Sequence, residues 1–192
     1  MTDPDTNSPQ LLLPEWAAEL TTRTGLKLYV RPASPEDGQT IDRFFSGLAH
    51  DDLRFRFLTP LIKPSLSLLE ALINVDHVRT EDFLVFADID GRRELVASAM
   101  LAADPSMEKA EVAIAIRPDC KSRGIGWTLL DFVARDAAAR GIKTLESIEC
   151  RDNRVAIALE TEMGFIASPY PGDATLTLVR KSLVAPTNVT GS

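Results

Sequence analysis

The stretch Glu111 to Arg140, EVAIAIRPDCKSRGIGWTLLDFVARDAAAR, constrains the fold more than any other part of the chain, because a strand, a glycine turn and a helix follow one another directly. In the strand, Val112, Ile114 and Ile116 point to one side and Glu111, Ala113 and Ala115 to the other, since side chains alternate with period two. One side is bulky and the other nearly bare. Alanine is no favoured strand residue, so the bare side is either covered by a close-packed helix or left open for something to lie against the backbone. Arg117-Pro118 stops the strand. The helix that begins at Gly124 keeps Ile125, Leu129, Leu130, Val133 and Ala137 on one side and is closed by Gly141.

The flanking sequence builds a sheet around this unit. A short helix is expected over Pro14 to Thr22, with proline in its first turn, then a strand at Leu26 to Arg31. Ser34-Pro35-Glu36-Asp37 is a helix start, with a capping serine, a proline preset for the first position and two acids at the positive end, and the helix runs to about Leu48. Leu53 to Leu58 is ambiguous. Leu68, Leu69, Leu72 and Ile73 fall on one side of a helix within Pro64 to Val75. Strands at Phe83 to Ile89 and Glu94 to Ala102 flank Asp90-Gly91, a hairpin turn signal. Glu108 to Arg117 is a third run, and Lys143 to Cys150 a strand after the central helix. Asn153 to Met163 reads as a helix ended by Gly164, and Phe165 to Ser168 and Thr175 to Arg180 as final strands. This order, a helix-rich start, an antiparallel meander and then β-α-β-α-β, fits a mixed sheet with helices on both faces.

Composition removes several classes of function. With 192 residues, 45% of them hydrophobic, the chain can bury one core. A net charge of -7 opposes a nucleic-acid partner, which requires a surplus of Lys and Arg over much of the surface. No stretch approaches the roughly 18 to 20 apolar residues of a membrane span, and Met1 to Gln10 lacks the regions of a signal peptide, so a cytoplasmic protein without a membrane partner is expected. Cys120, Cys150, His50 and His77 are the only cysteines and histidines and form no close-set ligand pair, so no metal is expected.

Lys121-Ser122-Arg123-Gly124-Ile125-Gly126 lies at a helix N-terminus, where free backbone N–H groups and the positive dipole end attract an anion. Two glycines let phosphates approach without meeting a Cβ atom, and Arg117, Lys121 and Arg123 add local positive charge. The loop is not a dinucleotide fingerprint, because Leu129 stands where the third glycine belongs, and no lysine follows Gly126 as a P-loop requires.

Lys121-x-x-Gly124-x-Gly126 after a strand resembles the Arg/Gln-x-x-Gly-x-Gly/Ala pyrophosphate loop of the GCN5-related N-acetyltransferase (GNAT) family, with Lys121 in the Arg/Gln position. Downstream, Asn153 to Leu159 followed by Met163-Gly164-Phe165 is similar to the family's N-x-x-A-x-x-L…GF helix. Upstream, Val30-Arg31-Pro32, Pro35-Glu36-Asp37 and Asp52 to Phe57 resemble the protein lysine acetyltransferase domain often fused to ADP-forming acyl-CoA synthetase-like chains. The likeness covers roughly Gly25 to Leu183 and implies the GNAT acyl-CoA N-acyltransferase fold, an α/β fold whose central mostly antiparallel sheet has helices on both faces. Residues 1–24 are then an N-terminal extension, 25–183 the acetyltransferase domain and 184–192 a flexible tail.

The resemblance also implies roles. Acetyl-CoA is the cosubstrate, and a primary amine is the acceptor, with protein lysine first and small amines next. The pantetheine arm pairs with the backbone of Ile114, Ala115 and Ile116, and one such N–H stabilises the oxygen charge that grows during transfer. The pyrophosphate is held by Lys121, Ser122, Arg123, Gly124, Ile125 and Gly126, with Trp127 packed beside them, and Asn153 contacts the cofactor arm. A lysine of ordinary pKa holds its proton at pH 7 by about 4.6 kcal/mol, so a base is needed, and Glu111, next to the thioester, is the candidate. Many relatives protonate the departing thiolate with a tyrosine in the next helix. Glu160 stands there instead and is expected to be an exposed helix residue, which keeps a CoA-binding sensor with lost catalysis as an alternative.

Four further groups are assigned packing or surface roles. Cys120 has no histidine nearby and is not expected to carry an acyl group, and Cys150 is expected to pack at a strand end. His50 and His77 are expected at the surface. Arg54-Phe55-Arg56-Phe57 is expected half-buried near the acceptor cleft, with its phenylalanines inward.

Overall fold

Asp90 and Gly91 both adopt positive φ, 50° and 76°, and this tight reversal joins the two longest strands, β3 (Thr80–Ile89) and β4 (Arg92–Ala103). They are the third and fourth strands of an eight-stranded sheet, seen in a computed structural model that describes residues 17–184. The other strands are β1 (Ala18–Thr21), β2 (Lys27–Pro32), β5 (Lys109–Ile116), β6 (Thr144–Cys150), β7 (Ile166–Pro169) and β8 (Leu176–Ser182). Their order across the sheet is β1-β2-β3-β4-β5-β6-β8-β7. All neighbours are antiparallel except β5 and β6. The expected mixed, mostly antiparallel sheet is thus the one observed.

Two hydrophobic layers cover the sheet, because the strands alternate their side chains. On one face Phe83, Val85, Ala99, Leu101 and Val112 pack against Ile125, Leu129, Leu130, Val133 and Ala137 of α4 (Ile125–Ala139), the apolar side read from the sequence. Helix α5 (Arg154–Glu162) adds Ile157 and Leu159 to this layer. On the other face Leu84, Leu95 and Ala115 pack against Ile41, Phe44 and Phe45 of α1 (Gly38–Ser46) and Leu69, Leu72 and Ile73 of α3 (Leu66–Ile73). The ambiguous segment is a helix, α2 (His50–Phe57), ended by Leu58 in the left-handed conformation, and it lies over β5. Among the described residues no helix is long and apolar enough to cross a membrane.

The helix expected over Pro14 to Thr22 is a strand instead where it is described. Ala18 and Leu20 turn inward and Glu19 and Thr21 outward, and β1 pairs with β2 from Ala18↔Val30 to Thr21↔Lys27. A Thr22-to-Gly25 reversal, with Gly25 at φ 85° and the Thr22 hydroxyl accepting from the Leu26 N–H, makes the hairpin that overrides helix propensity. Residues 14–16 of that expected helix, and residues 185–192 of the expected tail, lie outside the described residues.

This hairpin also supports the glycine loop. The Thr24 hydroxyl donates to the Arg123 carbonyl at 2.8 Å, and a Cβ placed on Gly124 would lie 3.2 Å from Thr22 Cβ. Gly124 holds φ at 80° as the N-cap of α4, so a side chain there meets both backbone strain and crowding. Gly124→Ala is expected to lose ~1–2 kcal/mol of stability in urea unfolding, whereas Gly141→Ala, whose Cβ would meet nothing, carries the backbone strain alone.

Candidate active site

Parallel strands β5 and β6 pair over only three residues, Lys109↔Thr144, Ala110↔Leu145 and Glu111↔Glu146. On its other edge β5 continues to pair with β4 as far as Ile116. From Val112 to Ile116, roughly 17 Å of strand, β5 therefore has no strand partner on the β6 side among the described residues. A wedge-shaped opening runs from a vertex at Glu111 to a mouth at the start of α4. Backbone groups along such an edge need partners, and an extended amide-bearing chain would supply them.

The mouth is built to receive an anion. Ser122 and Gly124 take φ of 60° and 80°, and the first helical bond runs from the Thr128 N–H to the Gly124 carbonyl at 3.2 Å. The N–H groups of the first turn thus lack helical acceptors, and the N-cap glycine has no side chain to cap them. A Cβ on Gly126 would lie 3.3 Å from Ile116 Cδ1 and 3.4 Å from Leu159 Cδ1, so this glycine lets side chains of β5 and α5 pack close against the first turn of α4. These features fit an extended ligand that ends in a diphosphate.

Several charges expected at this loop are engaged elsewhere. Arg117 is clamped by Asp119 and Glu94, and Lys121 Nζ is bonded to Asp52 of α2 at 2.5 Å. Arg123 is exposed beside the loop. Trp127 lies under the Arg23 guanidinium at 3.8 Å, so it packs beside the loop on the hairpin side. Cys120 is fully buried and its thiol is pushed up by that burial, against the pull of Arg117, which disfavours the thiolate. Cys150 is buried against α2, its Sγ 4.0 Å from the Arg54 carbonyl. His50 and His77 are exposed.

The nearly bare side of β5 is covered rather than open, since Ala115 is buried in the α1–α3 layer and α2 crosses there. The Arg54-to-Phe57 run is half-buried as expected, with Phe57 packed on the α1–α3 layer 5.3 Å from Phe45, but its most buried member is Arg56, which shares the inner side of α2 with Leu53. Arg56 is 8% exposed, and its Nε and Nη2 have no hydrogen-bond partner. Its charge is held by Asp82 and Glu111, against a burial that pulls its pKa down. Asp82, fully buried, accepts from the Ser98 hydroxyl at 2.8 Å, and burial pushes it up to about 6 against Arg56 and Ser98. The Glu111 side chain reaches solvent, yet protein surrounds much of its carboxylate. Burial raises its pKa, Arg56 opposes that, and Glu146 adds to it.

On the opposite side of the opening lies a group that the sequence placed wrongly. Glu160 is 5% exposed, not an exposed helix residue, because α5 turns it toward β6. There Ser147 donates to Glu149 at 3.0 Å, and the Asn153 side-chain amide, at the head of α5, donates to the other Glu149 oxygen at 2.7 Å. Glu160 Oε2 is buried and has no partner. Burial first, then the Glu149 charge, pushes Glu160 up to about 8, and burial raises Glu149 as well.

The parted strands and the glycine loop sit in the fold of an acyltransferase family. The chain matches the model of the acetyltransferase (GNAT) family over residues 49–165 and belongs to that family, whose acyl donor is acetyl-CoA. It is 26% identical over 159 residues to an acetyltransferase of Pseudomonas aeruginosa, covering 83% of this chain and 86% of that protein. In fold it is similar to the GNAT domain of PAT from S. lividans, with a TM-score of 0.78, 21% identity and coverage of 88% of this chain and 98% of that one. It is also similar in fold to spermidine N-acetyltransferase from Vibrio cholerae, solved in complex with CoA and spermine, with a TM-score of 0.62, 19% identity and coverage of 80% and 92%.

The buried acid has a measurable signature in stability. A carboxyl whose folded pKa lies near 8 contributes stability that is fully present below its ordinary value of 4.5 and is lost as pH rises through about 8. Glu160→Gln cannot ionise, so its melting temperature is expected to exceed that of the wild type above pH 8 and to converge with it near pH 4.5, in thermal unfolding followed by circular dichroism.

Proposed function

We propose that this enzyme transfers an acetyl or other short acyl group from acyl-CoA to a primary amine, with a lysine side chain of another protein as the preferred acceptor and Glu111 as general base. The observation that carries the proposal is the opening between β5 and β6, which has the bare helix start at its mouth and Glu111 at its vertex. In this reading the loop from Lys121 to Gly126 holds the diphosphate on backbone N–H groups, with Trp127 beside it. The peptide groups of Ile114, Ala115 and Ile116 pair with the pantetheine arm, and Asn153 contacts that arm while its amide also fixes Glu149. The acetyl group, supplied by the bound thioester, then lies near Glu111.

Glu111 and Glu146 lie side by side on the face that α2 covers, Glu146 bonded to Arg180 at 2.9 Å and Asp82 fully buried near Arg56. Glu111, exposed at the vertex, offers an ammonium-bearing acceptor a negative charge. Glu111, with a raised pKa and an outlet to solvent, takes the ammonium proton and releases it, and the neutral amine adds to the acyl carbon. The lysine acceptor is favoured by the resemblance of Asp52 to Phe57 to protein lysine acetyltransferase domains. A small polyamine is the second reading, since a relative in fold is a spermidine N-acetyltransferase.

Mass spectrometry of a cell extract incubated with the enzyme and isotopically labelled acetyl-CoA tests both. Label on defined lysines is the expected result, and label confined to free polyamines supports the second reading. Glu111→Gln is expected to lower the rate ~100- to 10,000-fold, the range of a general base. Unchanged labelling would remove Glu111 from that role.

The pH profile follows from the sign of the Glu111 shift. The base works when ionised, so the rate falls as pH drops through its raised pKa. Arg56→Met removes the influence that lowers this pKa, and the acid limb of kcat/KM is expected to move to higher pH. Acetyl-CoA affinity, measured by calorimetry, should stay the same.

A further inference from the structure

Strands β5 and β6 part after the Glu111–Glu146 pair, and two turns then carry the chain away from them, one through Lys121 into α4 and the other through Asp152 into α5. Helix α2 reaches both turns. Its Asp52 accepts from Lys121 Nζ at 2.5 Å, and its Arg54 donates to both carboxylate oxygens of Asp152, at 2.7 and 3.4 Å. Between these contacts α2 packs on β5, and Cys150 Sγ at the end of β6 donates to the Arg54 carbonyl at 4.0 Å. Cys150 shares its face of β6 with Glu146, because strands alternate their side chains. The helix therefore spans the opening on the Glu111 face, whereas on the opposite face Leu159 of α5 packs against Gly126 of α4.

Apolar packing alone does not fix α2 in this place. Of its eight residues only Leu53 and Arg56 are buried, and Phe57 packs partly against the α1–α3 layer. Acids in the first turn and arginines in the last suit the helix dipole, but that preference chooses no partners. The Asp52 side chain is 11% exposed and its Oδ2 is buried without a partner, so the carboxylate depends on the single contact of Oδ1 with Lys121. A carboxylate so shielded is costly unless a cation faces it. The Arg54–Asp152 pair is more open to solvent but engages both oxygens, and Asp51 of α2, 3.6 Å from Arg54 Nε, helps to orient the guanidinium. Two side chains only two residues apart on α2 thus hold the two lips of the opening and share no partner.

We infer that α2 is a strap that sets the width of the opening, and that Asp52 and Arg54 are positioning residues for the acyl-CoA, acting through Lys121 and Asp152. This inference rests on the function proposed above. On the Glu111 face the tie from the glycine loop to the head of α5 runs through both ion pairs, so it fails when either is lost. With the strap intact the lips are held apart at a set distance before the ligand arrives, and binding does not have to order them. Without it, apparent affinity falls with the fraction of molecules whose lips stand correctly. The base is served separately. Arg56, one turn from Asp52, stays beside Glu111 as long as Leu53 and Phe57 keep the helix on the sheet.

Calorimetry with acetyl-CoA tests the strap without any acceptor. Asp52→Asn and Arg54→Gln are each expected to weaken binding ~5-fold. The double variant should bind no worse than the weaker single, because two links in series fail together. Two local effects with no shared partner would instead multiply, to ~25-fold. Arg54→Lys, which keeps the charge, should stay within ~2-fold of the wild type. Unchanged affinity in both single variants, or losses that multiply in the double, would overturn the inference. A wild-type protein that binds no acetyl-CoA would instead bring down the underlying reading.

Kinetics with spermidine and a polylysine peptide as acceptors separate a strap from a helix that merely stabilises the fold. In Arg54→Gln, KM for acetyl-CoA is expected to rise ~5-fold with kcat retained, and the acid limb of kcat/KM should stay in place because Arg56 remains beside Glu111. An acid limb that moves to higher pH together with KM would show that α2 as a whole has shifted, and would overturn the assignment. Circular dichroism checks that each variant folds. The partly exposed Arg54 pair carries the test through Arg54→Gln and Arg54→Lys should Asp52→Asn fail to fold.

Discussion

Everything at the site depends on the short pairing between β5 and β6. A parallel pair that stops after three residues is costly unless the freed peptide groups find partners, because buried or half-buried N–H and C=O groups seldom stay unpaired. The fold holds the strands apart by packing different helices against them. Helix α4 packs on β4 and β5, while α5 packs on β7 and β8, so no single rigid layer draws the two halves of the sheet together. At the mouth Ile116 and Leu159 pack against Gly126 so closely that a methyl group there would need adjustment. An extended ligand with amides along its length and a diphosphate at its end satisfies both the strand edge and the helix start.

The electrostatics are divided by the sheet. On the α2 face a buried guanidinium limits how far the carboxylates Asp82 and Glu111 are driven toward neutrality. On the α5 face no guanidinium among the described residues stands beside Glu149 and Glu160, and burial with like-charge repulsion favours a retained proton. Burial thus raises the carboxyls on both faces, and only on the α2 face does a guanidinium oppose it. The loop at the mouth uses little side-chain charge, since Arg117 and Lys121 are already paired with carboxylates. What the loop offers an anion is its free backbone N–H groups.

Much of the fold was legible because it is written in short-range chemistry. The Asp90-Gly91 hairpin, the apolar side of α4 and the helix start at Pro35 follow from turn residues, 3.6-residue spacing and capping, and each falls where expected. The β1 strand was not legible, since its pairing with β2 is a tertiary choice and Pro14 offered a plausible helix start in its place. For the same reason the support that Thr22 and Thr24 lend to the glycine loop, about a hundred residues away in sequence, left no signal. The motif residues Gly124, Gly126 and Asn153 stand where their pattern put them, at the heads of α4 and α5. Burial was not legible. Arg56 lay in a run expected to turn its phenylalanines inward and Glu160 was read as exposed, because a buried charge on a short helix of low amphipathicity has no periodic signature.

Hydrogen exchange along β5 tests the central claim most directly. On addition of acetyl-CoA, those amides between Val112 and Ile116 that face the opening are expected to become strongly protected, together with the N–H groups of Ile125 and Gly126, while amides paired with β4 change little. If acetyl-CoA binds and these amides exchange as fast as before, the ligand does not complete the parted sheet, and the opening between β5 and β6 is not the cofactor site.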